Sequence, residues 1–282
     1  MTTQDAVYKV LEKDAMIDGT NILMFDTLDS TNRYCGRMKL DNVKEFTTIW
    51  TLRQTDGIGQ RGNHWVSADG MNLTFSVVLH PTFLPAAQQY ELTKAMALAV
   101  SDWLIDEIGD QVTESKHIHN ELVPQAACPS INIKWPNDIY ANGRKICGML
   151  IENTIGNRYE TAICGIGVNV NQTEFGDSAP NATSLKIITG KEYELDGLLR
   201  NILECLKKRY DELKKCCLCV TNSIDGDYLN RLMRLNKSCR YVYKGSVITA
   251  TITGVSQWGH LLLTTDNGEQ LECGIKEIVF VN

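Results

Sequence analysis

The chain has 282 residues, 43% of them apolar, with a formal net charge of -6 and a pI near 5.4. That length leaves room for one large domain or one and a half, the acidic balance argues against a general nucleic-acid binder, and no apolar run reaches membrane-spanning length. The first residues, MTTQDAVYKVLEKD, lack the apolar core of a signal peptide, and the ten cysteines follow no extracellular framework, so a cytoplasmic protein with reduced thiols is expected.

In chain order, NILMFDTLDSTN reads as a short strand running into a helix cap. Asp29, Ser30, Thr31 and Asn32 are all N-cap formers, so a helix is expected to start there. FTTIWTL is β-branched and aromatic, and NLTFSVVL is a buried-type strand. PAAQQYELTKAMALAVSDWLIDEIG is the clearest amphipathic helix, with Leu92, Met96, Ala99 and Trp103 on one face. ESKHIHNELVPQAACPS reads as a polar loop, in which His117 and His119 are loop residues rather than a ligand pair. Three strands are expected next, INIKW, KICGMLIE and ETAICGIGVNV, then a helix over LDGLLRNILECLKKRYDELKK and a shorter one over DYLNRLMRL. Cys216, Cys217 and Cys219 have no Cys or His pair at finger spacing and read as helix-end cysteines. After about Asn236 the pattern turns to short strands with Gly and Asp-Asn-Gly turns, which suggests a small β-barrel-like module. The expected architecture is α+β with an all-β tail.

Between the second and third of these segments, Gly57, Gly59 and Gly62 of TDGIGQRGNHW spell G-x-G-x-x-G. A dinucleotide cradle needs a helix opening at the glycines. Here a turn and another strand follow, so the cradle reading fails. The glycines then serve either close backbone approach to a ligand or plain loop flexibility.

Polar residues placed where a core would prefer apolar ones mark four segments. Ser30-Thr31-Asn32 is one, with helix capping alone as the simpler explanation. The glycine loop with Gln54, Arg61 and Trp65 is the second. In IKWPNDIYANGRKICGMLIE, Lys134 lies in an apolar strand, Asn137 and Asp138 follow a proline, and Lys145 precedes a glycine-containing strand. A lysine there is a natural partner for a carboxylate or phosphate oxygen, unless the segment is a solvent-facing hairpin. In GIGVNVN, Gly165 and Gly167 interrupt a strand, which suggests close approach of a ligand, and Asn169 could read a base edge or an amide. Hydrolase elbow, Walker lysine and zinc-protease motifs are all missing from the sequence. Neutral donors, glycines and a few cations suit a reaction between two bound substrates that the protein positions and whose charge it stabilises.

DSTN, TDGIGQRGNHW, KWPNDIY followed by GRKICGMLIE, and GIGVNVN, in this order and at these separations, resemble the biotin protein ligases. The resemblance covers nearly the whole chain, and KWPND followed by RKICG is its most specific part. It implies a biotin/lipoate ligase-like mixed sheet flanked by helices over residues 1–236, and a small SH3-like β-barrel domain over 237–282. It implies a two-step activity: biotin's carboxylate attacks the α-phosphate of ATP to give biotinyl-5′-AMP, and a carrier-domain lysine then takes the biotinyl group. ATP, biotin and Mg²⁺ would be the cofactors, and a biotin carboxyl carrier protein the partner, with no role for DNA or membrane.

Carried over residue by residue, Ser30, Thr31 and Gln54 would hydrogen-bond biotin's ureido ring, and Gly57 and Ile58 would contribute backbone. Lys145 would bind the carboxylate and then the phosphoryl oxygens, with Gly148, Gly165 and Gly167 lining the pocket. On the nucleotide, Arg61 would meet the phosphates, Trp65 would pack on adenine, Asn169 would hydrogen-bond to it, and Lys134 and Asn137 would assist. Asp138 would hold the geometry or the metal; Lys145, Arg61 and Asp138 are the catalytic candidates.

Two departures from the family pattern stand out. Ile58, Gln60 and Asn63 occupy loop positions that are often basic, which bears on how firmly an adenylate is retained. Fewer than about thirty residues precede DSTN, too few for a winged helix-turn-helix, so a ligase without repressor function is expected. Homodimers occur in the family, and the sequence leaves that state open. Two other readings remain: a lipoate ligase of the same fold, and a non-catalytic biotin or adenylate sensor.

Overall fold

The computed structural model describes residues 8–10, 21–118, 129–156, 158–177, 179–217 and 223–281. Its centre is an eight-stranded mixed sheet. The strands are β1 (Tyr8–Val10), β2 (Ile22–Leu28), β3 (Thr48–Gln54), β4 (Leu73–Leu79), β5 (Ile131–Lys134), β6 (Asp138–Ala141), β7 (Arg144–Ile155) and β8 (Tyr159–Val168), in the order β1-β2-β3-β4-β8-β7-β6-β5. Only β2 and β3 pair in parallel; the other neighbours are antiparallel. A parallel pair needs a crossover, and α1 (Thr31–Gly36) lies within it.

The two faces of the sheet have different duties. On one face Leu73, Phe75, Val77 and Leu79 of β4 and Cys164, Ile166 and Val168 of β8 join the main core. They pack with α2 (Gln89–Ile118) and α4 (Leu195–Cys216), whose Leu92, Met96, Ala99, Trp103, Leu199, Ile202 and Leu206 are buried. Arg209 of α4 ties these layers together through Asp102 of α2 and Asp227 of α5 (Ser223–Arg231). The other face carries a smaller core of Phe25, Leu28, Cys35, Ile49, Val78 and Ile163 under α1. Beyond that small core the same face is left to the cavity described below.

A second sheet follows: β9 (Ser238–Tyr243), β10 (Ser246–Val255), β11 (Leu261–Thr265), β12 (Gln270–Cys273) and β13 (Ile278–Phe280). It is antiparallel throughout, with β12 and β13 as its edges. Its Tyr241, Ile252, Leu261 and Leu263 belong to the main core, so one apolar interior runs through both sheets. Trp135 Nε1 donates to Gly259 O at 3.0 Å. Gly259 has φ +84°, and a Cβ there would come within 2.4 Å of the Tyr90 ring, so the β10–β11 turn needs glycine both for its backbone and for its close approach.

Two local expectations change and a third holds. Helix α2 runs on to Ile118, past the loop expected from Glu114; residues 119–128 of that loop and Cys219 lie outside the described residues. Asp138–Ala141, not expected as a strand, is β6, a four-residue partner of both β5 and β7. Cys216 ends α4 and Cys217 caps it, in line with the helix-end reading.

Candidate active site

A cavity of about 310 Å³ opens on the face of the sheet away from α2 and α4. Sheet register explains its floor. Thr74 of β4 pairs with Gly167 of β8, which pairs with Gly148 of β7; Ser76, Gly165 and Leu150 form the next row. Residues two apart on a strand share a face, so three glycines remove side chains where the cavity needs depth. A β-bulge then aims the lysine. Ile139 pairs with Cys147, but Tyr140 pairs with Lys145, so β7 carries one extra residue there. Strict alternation would turn Lys145 to the helix side; the bulge returns it to the cavity side beside Tyr140. A Cβ on Gly148 would lie 3.2 Å from Lys145 Nζ, which places the lysine directly over that glycine.

This end of the cavity is cationic. Lys145 Nζ and Asp138 Oδ2 are 2.7 Å apart, with side chains 32% and 28% exposed. A pair that open to water is worth about 0–1 kcal/mol, so a substrate anion can take the lysine from it at little cost. Lys134 donates to the Tyr140 hydroxyl at 3.3 Å and lies over the rings of Tyr140 and Phe280. Burial pushes the Tyr140 hydroxyl up to about 12, with Asp138 adding to the rise, so it remains a neutral partner at ordinary pH.

The glycine loop folds over the floor. Gln60 Nε2 donates to Asn137 Oδ1 at 2.8 Å and to Met149 O at 3.2 Å. Ile58 and His64 face each other across the loop as an isolated bridge, and Trp65 N donates to Gly57 O at 2.9 Å. A Cβ on Gly57 would lie 2.4 Å from Trp65 O, so only glycine fits. Asp56 at the base of the loop pairs with Arg33 of α1 and, at 3.3 Å, with His64. The Trp65 indole lies across the floor: a Cβ on Gly167 would come within 2.3 Å of it. Its Nε1 is buried without a hydrogen-bond partner, a state that costs roughly 1–3 kcal/mol in general and favours any ligand acceptor placed there.

The opposite end is neutral and closely hydrogen-bonded. Ser30 and Thr31 stand at the start of α1, and Thr31 N donates to Gln54 Oε1 at 2.8 Å. Ser30 does occupy the N-cap position, but its side chain makes no capping bond; Asp29 Oδ1 instead accepts from Ser30 N at 2.8 Å. Ser76 Oγ lies 2.7 Å from Thr31 Oγ1 and 2.6 Å from Asn32 Oδ1, and Asn32 Nδ2 donates to Glu152 Oε2 at 2.7 Å.

Of the residues expected to form a site, Ser30, Thr31, Gln54, Ile58, Trp65, Lys134, Asp138, Lys145, Gly148, Gly165 and Gly167 line this one cavity. Gly57 shapes the loop from behind. Asn137 is buried and holds Gln60, and Asn169 is buried with Nδ2 on Thr183 O at 3.0 Å; neither lines the cavity. The side chain of Arg61 lies outside what is described. Three groups of residues were not expected. Gln60, read only as a loop departure, latches the loop. Ser76 and Glu152 complete the neutral end. Ile278, Val279 and Phe280 bring the second sheet to the cavity wall. For Ser76 a signal did exist: Thr74 and Ser76 alternate with apolar residues in NLTFSVVL, which marks a polar face on an otherwise buried strand.

The family model for the biotin/lipoate A/B protein ligases matches residues 24–169, more than half of the chain's 282 residues. The chain belongs to this family. As a biotin/lipoate ligase-family member it is 32% identical over 196 residues to the bifunctional ligase/repressor BirA of Bacillus subtilis, covering 68% of this chain and 54% of that protein. It is 34% identical over 150 residues to the biotin–[acetyl-CoA-carboxylase] ligase of Paracoccus denitrificans, covering 51% of this chain and 54% of that one. The chain thus spans about half the length of these curated relatives. Among solved structures, the biotin protein ligase from Aquifex aeolicus in complex with biotin and ATP matches with a TM-score of 0.70 at 25% identity, covering 93% of this chain and 98% of that one. The matched family segment contains every expected site residue from Ser30 to Asn169. No helix among the described residues is long and apolar enough to cross a membrane.

Proposed function

We propose that the chain activates biotin as biotinyl-5′-AMP with ATP and passes the biotinyl group to a lysine of a carrier domain. The observation that carries this reading is the polarity of a single cavity: a neutral hydrogen-bonding end at Ser30, Thr31 and Gln54, a glycine floor, and a cationic end at Lys145. A bicyclic urea with a carboxylate tail matches that order. The relatives named as biotin ligases, and the neighbour solved with biotin and ATP, support the same choice.

In this reading biotin's head lies against Thr31 and Gln54, with its carboxylate toward Lys145. The ammonium leaves Asp138 for the carboxylate and then for the α-phosphate oxygens, where negative charge grows as the new P–O bond forms and pyrophosphate departs. The carrier lysine's amine then attacks the mixed anhydride at carbon, and AMP leaves. Lys134 faces the phosphates, and the Trp65 ring offers the adenine a flat surface over Gly167. Gly57 and Ile58 close the loop over the head, and Gly148 and Gly165 keep the floor open. Arg61, Asn137 and Asn169 belong to the proposal as phosphate contact, loop support and loop support respectively.

Mg²⁺ fits only as an ion carried mainly by the nucleotide. Among the described residues Asp138 is the one carboxylate lining the cavity, and they contain no cluster of three metal-ligating side chains. Magnesium sites of that kind keep waters and phosphate oxygens as most of their ligands. The carrier would be a biotin carboxyl carrier domain. Residues 1–236 would act as the catalytic domain, with 237–282 as a β-domain that walls the cavity through Ile278–Phe280.

The test is biotin-dependent exchange of labelled pyrophosphate into ATP. Exchange with biotin and none with lipoate is the expected result; exchange with lipoate alone, or with neither, overturns the reading.

A further inference from the structure

Lys134 to Asp138 run from the end of β5 to the start of β6, and each residue holds a different part of the molecule. Lys134 lies over the ring of Phe280 in β13. Trp135 Nε1 donates to Gly259 O in the β10–β11 turn at 3.0 Å. Pro136 O accepts from the Tyr228 hydroxyl of α5 at 2.7 Å, and that hydroxyl lies 3.0 Å from the Tyr90 hydroxyl of α2. Asn137 Oδ1 accepts from Gln60 Nε2 of the glycine loop at 2.8 Å, and Asp138 pairs with Lys145. Two of these contacts reach the parts that enclose the cavity: Gly259 belongs to the second sheet, whose Ile278–Phe280 forms a wall, and Gln60 belongs to the loop that covers the floor.

These two contacts move together. Trp135 and Asn137 are buried, and Pro136 between them is tied to Tyr228. Gln60 Nε2 also donates to Met149 O at 3.2 Å; a carbonyl only accepts, so Gln60 keeps its nitrogen here and Asn137 must present its oxygen. Gly259 has no room to slide, because a Cβ there would strike the Tyr90 ring. A hydrogen bond is lost once its partners are more than about 3.5 Å apart. A displacement of this turn by about 1 Å is therefore enough to lose the bond to Gly259 and the bond from Gln60 at once.

We infer that the turn from Trp135 to Asn137 couples the seating of the second sheet to the closure of the glycine loop. Trp135 and Gly259 are positioning residues, acting on the Gln60 latch through Asn137. The wall and the lid of the cavity then assemble as one event. With the second sheet seated, Asn137 stands where Gln60 reaches it; with the turn displaced, the loop loses its latch as the cavity loses its wall. The coupling is a property of the free chain. Its consequence rests on the biotin reading: a mixed anhydride is kept from water only where both wall and lid are in place. A coupling between two equilibria is reciprocal, so loosening the loop must also loosen the turn of the second sheet.

The test is amide hydrogen exchange on the full chain, read by NMR. In the loop the reporters are Gly59 N, bonded to Asn63 O at 2.7 Å, and Trp65 N, bonded to Gly57 O at 2.9 Å. In the β10–β11 turn they are Ser256 N, bonded to His260 O at 2.8 Å, and Gly259 N, bonded to Ser256 O at 2.9 Å. Trp135→Phe keeps an aromatic ring and removes the N–H. It should speed exchange of the loop amides by about 3-fold to 10-fold, the size expected for one lost hydrogen bond. Gln60→Ala should speed them as well, and adding Trp135→Phe to it should change them by no more than about 2-fold, because the latch is already gone. Gln60→Ala should in turn speed exchange of the Ser256 and Gly259 amides by about 2-fold or more. A merely structural Trp135 would speed the turn amides and leave the loop amides at the wild-type rate; that outcome, or two substitutions whose effects multiply, overturns the coupling. If Trp135→Phe does not fold, the turn amides in Gln60→Ala decide, and an unchanged rate there overturns it. Release of biotinyl-5′-AMP, measured beside the exchange, should be faster in Trp135→Phe by about the same 3-fold to 10-fold. Wild type that forms no biotinyl-5′-AMP overturns the biotin reading and leaves the exchange results to judge the coupling, whereas adenylate formed with unmoved loop exchange overturns only the coupling.

Discussion

The two ends of the cavity are built in opposite ways. At the neutral end Thr31, Asn32 and Ser76 are buried, and their hydrogen bonds form a continuous network on sheet and helix. At the cationic end Lys145 and Asp138 are about a third exposed and hold each other in a pair that, in the proposed reaction, a substrate anion would have to break. Nothing at the first end has to move for a neutral head to bind, so recognition there is preorganised. At the second end the charge is parked on a carboxylate until an anion arrives. In the proposed reaction the difference would separate two tasks: the rigid end would choose the acid, and the exchangeable end would serve the charge that develops.

The sharpest way to break this comparison is to remove the exchangeable cation. Lys145→Ala should lower adenylate formation by about 100-fold to 1000-fold, as expected when a positioned donor to a developing oxyanion is lost. The fold should survive, because the backbone of Lys145 keeps its bonds to Asn181 O and from Thr183 N. Single-turnover formation of adenylate, beside a thermal melt, checks both statements. A near-wild-type rate would remove Lys145 from the chemistry.

The next largest effect is expected at the rigid end. Gly165→Ala puts a methyl 2.1 Å from Asn32 Oδ1 and must displace that amide. Overpacking of this kind costs about 1–3 kcal/mol, and biotin affinity should drop about 10-fold to 100-fold. Calorimetric titration reads it. An unchanged affinity would mean that the Asn32 amide has no part in holding the neutral end.

The contrast between the ends also explains what the sequence could and could not disclose. Ser30, Thr31, Gln54, Lys145 and the glycines stand in local patterns of caps, loops and interrupted strands, and local chemistry is what a sequence displays. Ser76 and Glu152 meet Asn32 only because β4, β8 and β7 lie side by side in one register, information that no single segment carries. β6 escaped because four residues between a proline turn and an Asn-Gly turn are too few to display a period. Lys145 was legible as a residue, whereas the bulge that aims it follows from its pairing with β6. The wall formed by Ile278–Phe280 depends on how the second sheet docks against the first, through contacts such as Trp135 to Gly259.

A smaller effect is expected in the loop that joins the two ends. Ile58 lines the cavity opposite His64, where an arginine could add a charge-assisted bond to a phosphate. Ile58→Arg should slow dissociation of biotinyl-5′-AMP by up to about 10-fold, equivalent to about 1.4 kcal/mol acting on release. Stopped-flow displacement measures it, and an equal or faster release would show isoleucine to be the better lid residue.

The smallest effect concerns the support of α1 beneath the rigid end. The Arg37 guanidinium, bonded to both oxygens of Asp29, holds that carboxyl down at about 2, with the Ser30 backbone amide helping. A carboxyl depressed in the folded state contributes stability above its ordinary value of about 3.9 and loses that contribution as pH falls toward 2. Arg37→Ala should return Asp29 toward the ordinary range in an NMR titration. It should also flatten the decline in stability between those pH values. A carboxyl that still titrates near 2 in the variant would place the cause elsewhere.

The most direct measurement of the central claim is the product itself. The protein is incubated with ATP, Mg²⁺ and an equimolar mixture of biotin and lipoate, without acceptor, then acid-quenched and read by mass spectrometry. Biotinyl-5′-AMP in near-stoichiometric amount, with little lipoyl-5′-AMP, is the predicted result. Lipoyl-5′-AMP as the main product, or biotin bound with no adenylate formed, would contradict the account.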